Sequence, residues 1–291
     1  MKVDKFRTVI IYIIIILLGL VCLLPLLNIV AISFSSSAAV EGNMVGLIPV
    51  GFSTAAYEKI LEDSQFWHSF LISVERVVLT LIINFVLIVL MAYPLSKTNA
   101  QFRGRNIYAN LMIFAMLFNG GMIPTFLLVK SYGLLNTVYA LVLPGAVPIF
   151  NVILVMNFFA AVPKELEEAA FIDGANPLQV LTKIFIPISK PVLATVSLFS
   201  IVGSWNDFYS GLIYMSKATY YPLMTYIQSL QINVEDLIKQ GNLSAVVDSA
   251  SLGNTNLNAA KIVVAVIPLL LIYPLLQRYF VSGIVVGSVK G

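Results

Sequence analysis

Six apolar segments, each of about 20 residues, recur along this chain and constrain its fold more than any other feature. A bilayer core about 30 Å thick requires about 20 apolar residues from each spanning helix. Because lipid offers the backbone no hydrogen-bond partners, segments of this kind are predicted to be helices. The predicted spans are approximately Val9–Ile32, Ser69–Leu95, Ile107–Val129, Thr137–Ala160, Pro191–Met215 and Ala259–Phe280.

The composition excludes most other classes of protein. Apolar residues make up 59% of the 291 positions and charged residues 11%, whereas soluble domains are about 25% charged. A large soluble enzyme domain, a disordered chain and a disulfide scaffold are therefore excluded, and Cys22 is the only cysteine. The net charge of +3 is scattered, so no nucleic-acid partner is expected. We predict an all-α membrane protein with one transmembrane domain over residues 1–291, in contact with the lipid bilayer.

The distribution of basic residues predicts the orientation in the membrane. Eleven of the 17 Lys and Arg residues fall on the side that holds the N-terminus, the loops after spans 2 and 4, and the C-terminus. Basic residues concentrate on the cytoplasmic side, so both termini are predicted to be cytoplasmic. The first apolar run, about 19 residues, exceeds the 7–15 of a signal peptide, so we interpret it as a true span.

Two loops on the opposite side are long enough for a function of their own. They cover about Ser33–His68 and Ser216–Asn258. In the first, an amphipathic helix is predicted to follow Phe52 and Ser53 and to lie on the membrane surface. Either the loops are connectors, or they form a docking surface for an external partner.

The cytoplasmic segment Ala161–Lys190 is the most informative part of the sequence. Glutamates in its first turns favour the positive end of a helix dipole. Gly174 is suited to the left-handed conformation that closes such a helix. Asn176 and Pro177 then provide a cap and a first helical residue, and Pro187 is expected to end the second helix. The prediction is two short helices joined by an exposed glycine turn.

The same segment carries a recognisable motif. Its positions are Glu168-Ala169-Ala170, Gly174 after three residues, Ile184 after nine more, then Ile186 and Pro187. It resembles the E-A-A-x3-G-x9-I-x-L-P loop of permease subunits in bacterial ATP-binding-cassette (ABC) importers. The one departure is Ile186 where Leu is usual, an apolar side chain of similar volume.

The resemblance extends over nearly the whole chain. Residues Gly120–Thr125, Gly133–Thr137, Trp205–Asp207 and Arg278–Gly283 are similar to carbohydrate permeases. The similarity is to maltose-permease-like second subunits, especially the branch that imports complex oligosaccharides and polysaccharide fragments. It implies a type I ABC importer permease fold in the bacterial inner membrane. The implied partners are a homologous second permease subunit, two cytoplasmic ATPase subunits and an external solute-binding protein.

The resemblance also implies a role for the cytoplasmic segment. The turn from Glu168 to Gly174 would be the coupling helix that sits in a cleft of the ATPase. The residues implied in coupling are Glu168, Ala169, Ala170, Asp173, Gly174, Ile184 and Pro187. The chain contains no G-x-x-x-x-G-K-[ST] loop, so ATP and Mg²⁺ are expected on the partner ATPase. No cofactor, catalytic residue or metal ligand is expected in this chain.

Polar groups within the predicted spans are candidates for the transport path, because such groups usually face a bundle interior or a watery cavity. Asparagine and aspartate suit sugar hydroxyls, and aromatic rings suit the apolar faces of sugars. Interhelical hydrogen bonds and interfacial anchoring are the alternative interpretation. The candidates are Asn84, Asn119, Asn151, Asn157, Trp205, Asn206, Asp207 and Tyr209.

Arg76, in the second span, has two interpretations. Lining the cavity, it would suit an acidic sugar such as a uronate. Extending its side chain to the outer interface is the interpretation we favour from the sequence.

Other classes of function remain as alternatives. A stand-alone secondary sugar carrier would need deep titratable groups and internal repeats, and neither is evident. A polytopic membrane enzyme would need clustered His, Asp or Glu, whereas His68 is the only histidine. An ABC permease for a non-sugar solute would share the same cytoplasmic loop.

Overall fold

The computed structural model describes residues 5–230 and 255–287, and in these residues every regular element is helical. The α-helices are α1 (Lys5–Ser33), α2 (Ser37–Glu41), α3 (Ala55–Glu62), α4 (Ser64–Leu95), α5 (Arg105–Leu117), α6 (Met122–Ser131), α7 (Val138–Val142), α8 (Ile149–Ala160), α9 (Lys164–Ile172), α10 (Pro177–Val180), α11 (Ile186–Ile188), α12 (Lys190–Asn206), α13 (Tyr209–Tyr214), α14 (223–230) and α15 (Thr255–Gly287). A π-helix, Leu181–Phe185, joins α10 to α11. Short 3₁₀ helices cover Leu143–Gly145 and Ala218–Tyr220.

The predicted class of an all-α membrane protein is confirmed. Three helices are long and apolar enough to cross a membrane alone, at Arg7–Ser33, Ser64–Leu95 and Thr255–Pro274. Three bent pairs also qualify, namely α5 with α6, residues 138–145 with α8, and residues 177–188 with α12. Counting each bent pair as one span gives six spans among the described residues.

The third predicted span is interrupted between α5 and α6, where the chain bends by 110°. Asn119 Oδ1 accepts a hydrogen bond from the Gly121 N–H at 2.9 Å. Gly121 has φ +92°, a conformation that side chains with a Cβ rarely adopt. The Asn119 side chain therefore stabilises the backbone at the break between α5 and α6.

The bend before α12 does not fall at the predicted position. The helix continues through Pro187 to Ile188, and the 83° bend comes at Ser189. The preceding π-helix already replaces the regular i→i−4 bonding, so the missing N–H of Pro187 does not end the helix there.

The Cα positions group the chain into two compact units. The first unit comprises Met1–Trp67 and Tyr226–Pro268, and the second comprises His68–Thr225 and Leu269–Gly291.

The first unit is held together by polar contacts as well as apolar ones. Asn28 donates its side-chain N–H to the Gly46 carbonyl at 2.7 Å, and the Ser33 and Tyr57 hydroxyls lie 2.8 Å apart. The amphipathic helix expected after Ser53 is α3, with Ile60 buried and Leu61 exposed. Of the second long loop, residues 231–254 lie outside the described residues, as do the side chains of residues 278–291.

The core of the second unit is an apolar seam between three helices. It contains Ile88, Val89 and Ala92 of α4, Val152, Val155 and Phe159 of α8, and Val192, Leu193 and Val196 of α12. Spacings of three and four residues, with one adjacent pair in α4 and one in α12, keep each set on one side of its helix. Close packing of this kind drives helix association in lipid, where the hydrophobic effect between helices is absent.

Candidate functional site

The segment between α8 and α12 forms the predicted pair of short helices. Gly174 has φ +80° and ends α9. Its N–H donates to the Phe171 carbonyl at 3.0 Å, and the Ala175 N–H donates to the Ala170 carbonyl at 2.9 Å. These two bonds make a Schellman motif, which satisfies the last carbonyls of the helix. The prediction that Gly174 closes the helix in the left-handed conformation is confirmed.

The second short helix begins with a capping box. Asn176 Oδ1 accepts from the Gln179 N–H at 2.9 Å, and Gln179 Oε1 accepts from the Asn176 N–H at 2.9 Å. Pro177 takes the first helical position, as predicted. Both turns are therefore closed by bonds within the segment, which gives it a defined shape without a partner.

The residues of the E-A-A motif divide between an exposed face and the core. Ala170 and Ile184 are half-buried and pack against the apolar core of the second unit. Beside the motif, the Ile172 side chain is 86% exposed. The exposed members of the motif are Glu168, Ala169, Asp173, Gly174 and Pro187.

A buried ion pair that was not predicted from the sequence anchors this segment. Lys97 Nζ lies 2.8 Å from the Glu167 carboxylate, and both side chains are largely buried. Burial lowers the pKa of Lys97, while the hydrogen bond and charge of Glu167 partly offset that effect. The partners are 70 residues apart, so no local pattern links them.

A cavity of about 270 Å³, lined by both polar and apolar side chains, lies within the second unit. Its walls come from α4, from the bent α7–α8 region, from α12 and from α13. Of the predicted path residues, Arg76, Asn84, Asn151 and Asp207 meet here. The polar side chains that line it are Arg76, Thr80, Asn84, Asn151, Ser200, Ser204, Asp207, Ser210 and Tyr214.

Arg76 does not extend to the interface, so the interpretation we favoured from the sequence is wrong. Its side chain is 4% exposed and forms an ion pair with Asp207 at 2.5 Å. It also donates to the Asp207 carbonyl at 2.9 Å and to the Leu141 carbonyl at 3.4 Å. Asp207 directly follows α12, which ends at Asn206. The Asp207 carboxylate also accepts a hydrogen bond from the Ser210 N–H. A buried partner outweighs the gain from reaching the interface.

One face of α4 directs unpartnered polar atoms into the same region. Arg76 Nε, Thr80 Oγ1 and Asn84 Oδ1 are buried and have no hydrogen-bond partner among the residues that the structure describes. The three residues follow one another at intervals of four, so they lie along one helix face. Asn84 Nδ2 donates to Ser200 Oγ at 3.2 Å, which leaves the oxygen available. This spacing is a signal by which Thr80 could have been found from the sequence.

Four other candidates do not line the cavity. Trp205 is buried and its ring meets the Phe70 ring edge to face at 5.6 Å. Asn206 and Asn157 are exposed. The Tyr209 hydroxyl donates to the Met122 sulfur at 3.1 Å. With Asn119 at the α5–α6 break, these residues are not brought together with Arg76 and Asp207.

Bent apolar helices around a cavity with polar groups in its lining, beside an exposed segment of acidic and small residues, are features of a membrane transport protein. The sequence matches the family described as "Binding-protein-dependent transport system inner membrane component" over residues 2–286. The chain belongs to this family, whose members are permeases of the inner membrane.

Similar proteins include two from Bacillus subtilis (strain 168). Protein LplC is 40% identical over 273 residues, covering 94% of this chain and 91% of LplC. The polygalacturonan/rhamnogalacturonan transport system permease protein YtcP is 39% identical over 288 residues, covering 99% of each chain. Among solved structures, a bacterial ABC transporter involved in import of the acidic polysaccharide alginate has a chain that is 32% identical, with a TM-score of 0.83, covering 96% of this chain and 98% of that one.

Proposed function

We propose that this chain is a permease subunit of an ATP-driven importer and forms half of the path for an oligosaccharide. A homologous second permease subunit would form the other half. Two cytoplasmic ATPase subunits would bind ATP and Mg²⁺, and an external solute-binding protein would deliver the sugar. Both termini would then lie in the cytoplasm, in keeping with the concentration of basic residues on that side.

The observation that carries this proposal is the shape of the α9–α10 segment. Its turns are closed by their own hydrogen bonds, while Glu168, Ala169 and Asp173 face outward. Small residues permit close approach of another backbone, and the exposed Ile172 adds an apolar contact. A cleft on an ATPase subunit suits this surface, so the E-A-A residues are assigned to coupling.

The chemistry of the cavity supports a sugar as the transported solute. Arg76 and Asp207 are the charged residues of its lining and they pair with each other. The remaining polar groups are hydroxyls and amides, which donate to and accept from sugar hydroxyls. A substrate carboxylate would have to displace Asp207 to reach Arg76, so we assign the cavity to hydroxyl groups. The relatives named for polygalacturonan, rhamnogalacturonan and alginate support a polysaccharide fragment. In such a fragment the hydroxyls, rather than the carboxylates, would contact this lining.

Purification in mild detergent from the native membrane tests the proposal. We expect an ATPase and a second polytopic permease to co-purify with this chain. Glu168→Gln and Gly174→Arg are expected to lose the ATPase, whereas Glu165→Gln, which neutralises an exposed residue of the same helix, retains it. Recovery of the chain alone, moving solute without nucleotide in vesicles, would instead establish a secondary carrier.

A further inference from the structure

The ion pair between Lys97 and Glu167 joins two elements with different predicted tasks. Lys97 follows the end of α4 by two residues, and Glu167 lies in the first turns of α9. Their side chains are 12% and 11% exposed, and both residues belong to the second unit. The next glutamate, Glu168, is exposed, so one of two adjacent carboxylates faces the core and the other faces outward.

Aromatic rings enclose the ammonium group of Lys97. Its Nζ lies 4.1 Å from the ring centroid of Tyr93 and 4.1 Å from that of Phe185. The two rings meet nearly at right angles, at 78° with centroids 5.1 Å apart. Phe185 also packs edge to face against Phe159 of α8. Cation–π attraction and the carboxylate together hold this amine in one place.

Such a pair is better suited to positioning than to overall stability. Removing two charges from water costs about as much as their attraction returns, so buried ion pairs contribute little net stability. Their best-attested use is to set how two elements align. Here the aligned elements are α9 and the end of α4, with the π-helix supplying Phe185.

We propose that Lys97 and Glu167 form a latch that passes displacement of α9 to α4. This inference rests on the proposed function, in which an ATPase moves α9. Helix α4 also carries Arg76, which lies 21 residues and roughly 30 Å before Lys97. Arg76 in turn holds Asp207 at the cavity. Lys97 and Glu167 are thus positioning residues, through which α4, a wall of the cavity, moves together with the coupling helix α9.

The test uses the assembled importer with spin labels on α9 and α4. Glu165→Cys and Glu75→Cys, both exposed, supply the label sites in a Cys22→Ser background. Double electron–electron resonance then measures the distance between labels before and after addition of ATP with vanadate. With the latch intact, α9 and α4 move together and this distance is unchanged. In Lys97→Met and in Glu167→Gln we expect a change of about 2 Å or more.

Conservative variants separate positioning from folding. Lys97→Arg keeps a cation that stacks on aromatic rings and pairs with carboxylate, and it is expected to behave as the wild type. Glu167→Asp keeps the charge but withdraws it by one methylene, so it is expected to resemble Glu167→Gln. If Lys97→Met does not fold, the comparison of Lys97→Arg with Glu167→Asp decides the question.

A second measurement is the amount of galacturonan fragment transported per ATP hydrolysed. We expect Lys97→Met and Glu167→Gln to lower this ratio at least about fivefold while the ATPase still co-purifies. The latch would be overturned if the distance between the labels stayed the same after addition of ATP with vanadate in every variant. It would also be overturned if that distance changed in the wild type. Loss of the ATPase from Glu167→Gln would also overturn it, because the pair would then shape the docking surface. Failure of the proposed function is distinct, since the wild type itself would then bind no ATPase.

Discussion

Arg76 and Asp207, which are 131 residues apart in the sequence, form an ion pair inside the second unit. The Arg76 side chain is 4% exposed and that of Asp207 is 29% exposed. The pair ties the middle of α4 to the point where α12 gives way to α13. It also cancels the charge of the cavity lining, which sets the chemistry that the cavity offers to a solute.

We predict that neutralising Asp207 alone destabilises the protein more than neutralising both members of this pair. Asp207→Asn strands the more buried charge, at a cost of about 3 kcal/mol, and Arg76→Met costs less because Asp207 is partly exposed. The double variant recovers part of the loss, with an interaction energy of about 0.5–3 kcal/mol. Thermal unfolding of the four proteins in detergent measures this cycle.

Glu75→Gln is the matched control for that cycle. It removes a charge from an exposed neighbour on α4 and is expected to change stability by no more than about 0.5 kcal/mol. Additive single effects in the double variant would show that Arg76 and Asp207 do not depend on each other.

Thr80→Val separates a contact with solute from a structural role. The Thr80 hydroxyl is buried and has no hydrogen-bond partner within the described part of the chain. Exchanging it for a methyl group of similar shape is therefore not expected to lower the stability of the folded protein. Uptake is nevertheless expected to fall, because a donor and acceptor on the cavity face of α4 is lost. Parallel measurement of melting temperature and of uptake rate by the assembled importer makes the comparison. Normal uptake with unchanged stability would remove Thr80 from the path.

Substitutions at Gly174 distinguish backbone strain from a blocked partner. No atom lies within 4 Å of a Cβ built at this position, so the cost within the chain is the left-handed backbone, about 1–2 kcal/mol for Ala and less for Asn. Gly174→Arg is therefore expected to fold as well as Gly174→Ala but to lose the ATPase. Melting temperature and co-purification report the two effects. Retention of the ATPase by Gly174→Arg would contradict close contact at this turn.

Asp63 in the first unit is expected to make the stability of the folded protein depend on pH. Burial by itself would raise its pKa, but hydrogen bonds from Lys261, the Phe66 N–H and Tyr226, with the Lys261 charge, lower the pKa below the ordinary 3.8. A lowered carboxyl pKa contributes stability above the ordinary value, and this contribution is lost as pH falls through the folded value. Wild type is thus expected to melt above Asp63→Asn near neutral pH, with a gap that narrows in acid.

Melting temperatures between about pH 7 and pH 3 check this prediction. Glu62→Gln, which alters an exposed neighbouring carboxylate, serves as the control for a general effect of net charge. A gap between wild type and Asp63→Asn that stays constant across the range would show that the Lys261 contact contributes nothing through the Asp63 charge.

Local signals in the sequence were sufficient to predict the cytoplasmic segment. Gly174, Asn176 and Pro177 act on their immediate neighbours, so their conformations follow from residues within four positions. The apolar runs likewise predicted the class of fold, since the required length of a span is set by the bilayer.

The cavity depended on information that no local pattern contains. Whether Trp205 or its neighbour Asn206 faces inward is set by the rotation of α12 against α4, and the structure buries Trp205 against Phe70. The partners Lys97 and Glu167 likewise meet through packing across 70 residues. The break at Asn119 had a local signal in Gly120 and Gly121, which were interpreted only as part of a family motif.

Uptake by proteoliposomes that contain the purified importer is the most direct test of the central claim that an ATPase drives this permease through α9. The external solute-binding protein and galacturonan fragments are added outside, and ATP with Mg²⁺ is enclosed inside. The account predicts uptake that requires ATP, is unaffected by collapse of ion gradients and is lost with Gly174→Arg. Uptake without nucleotide, abolished by collapse of an ion gradient, would contradict it.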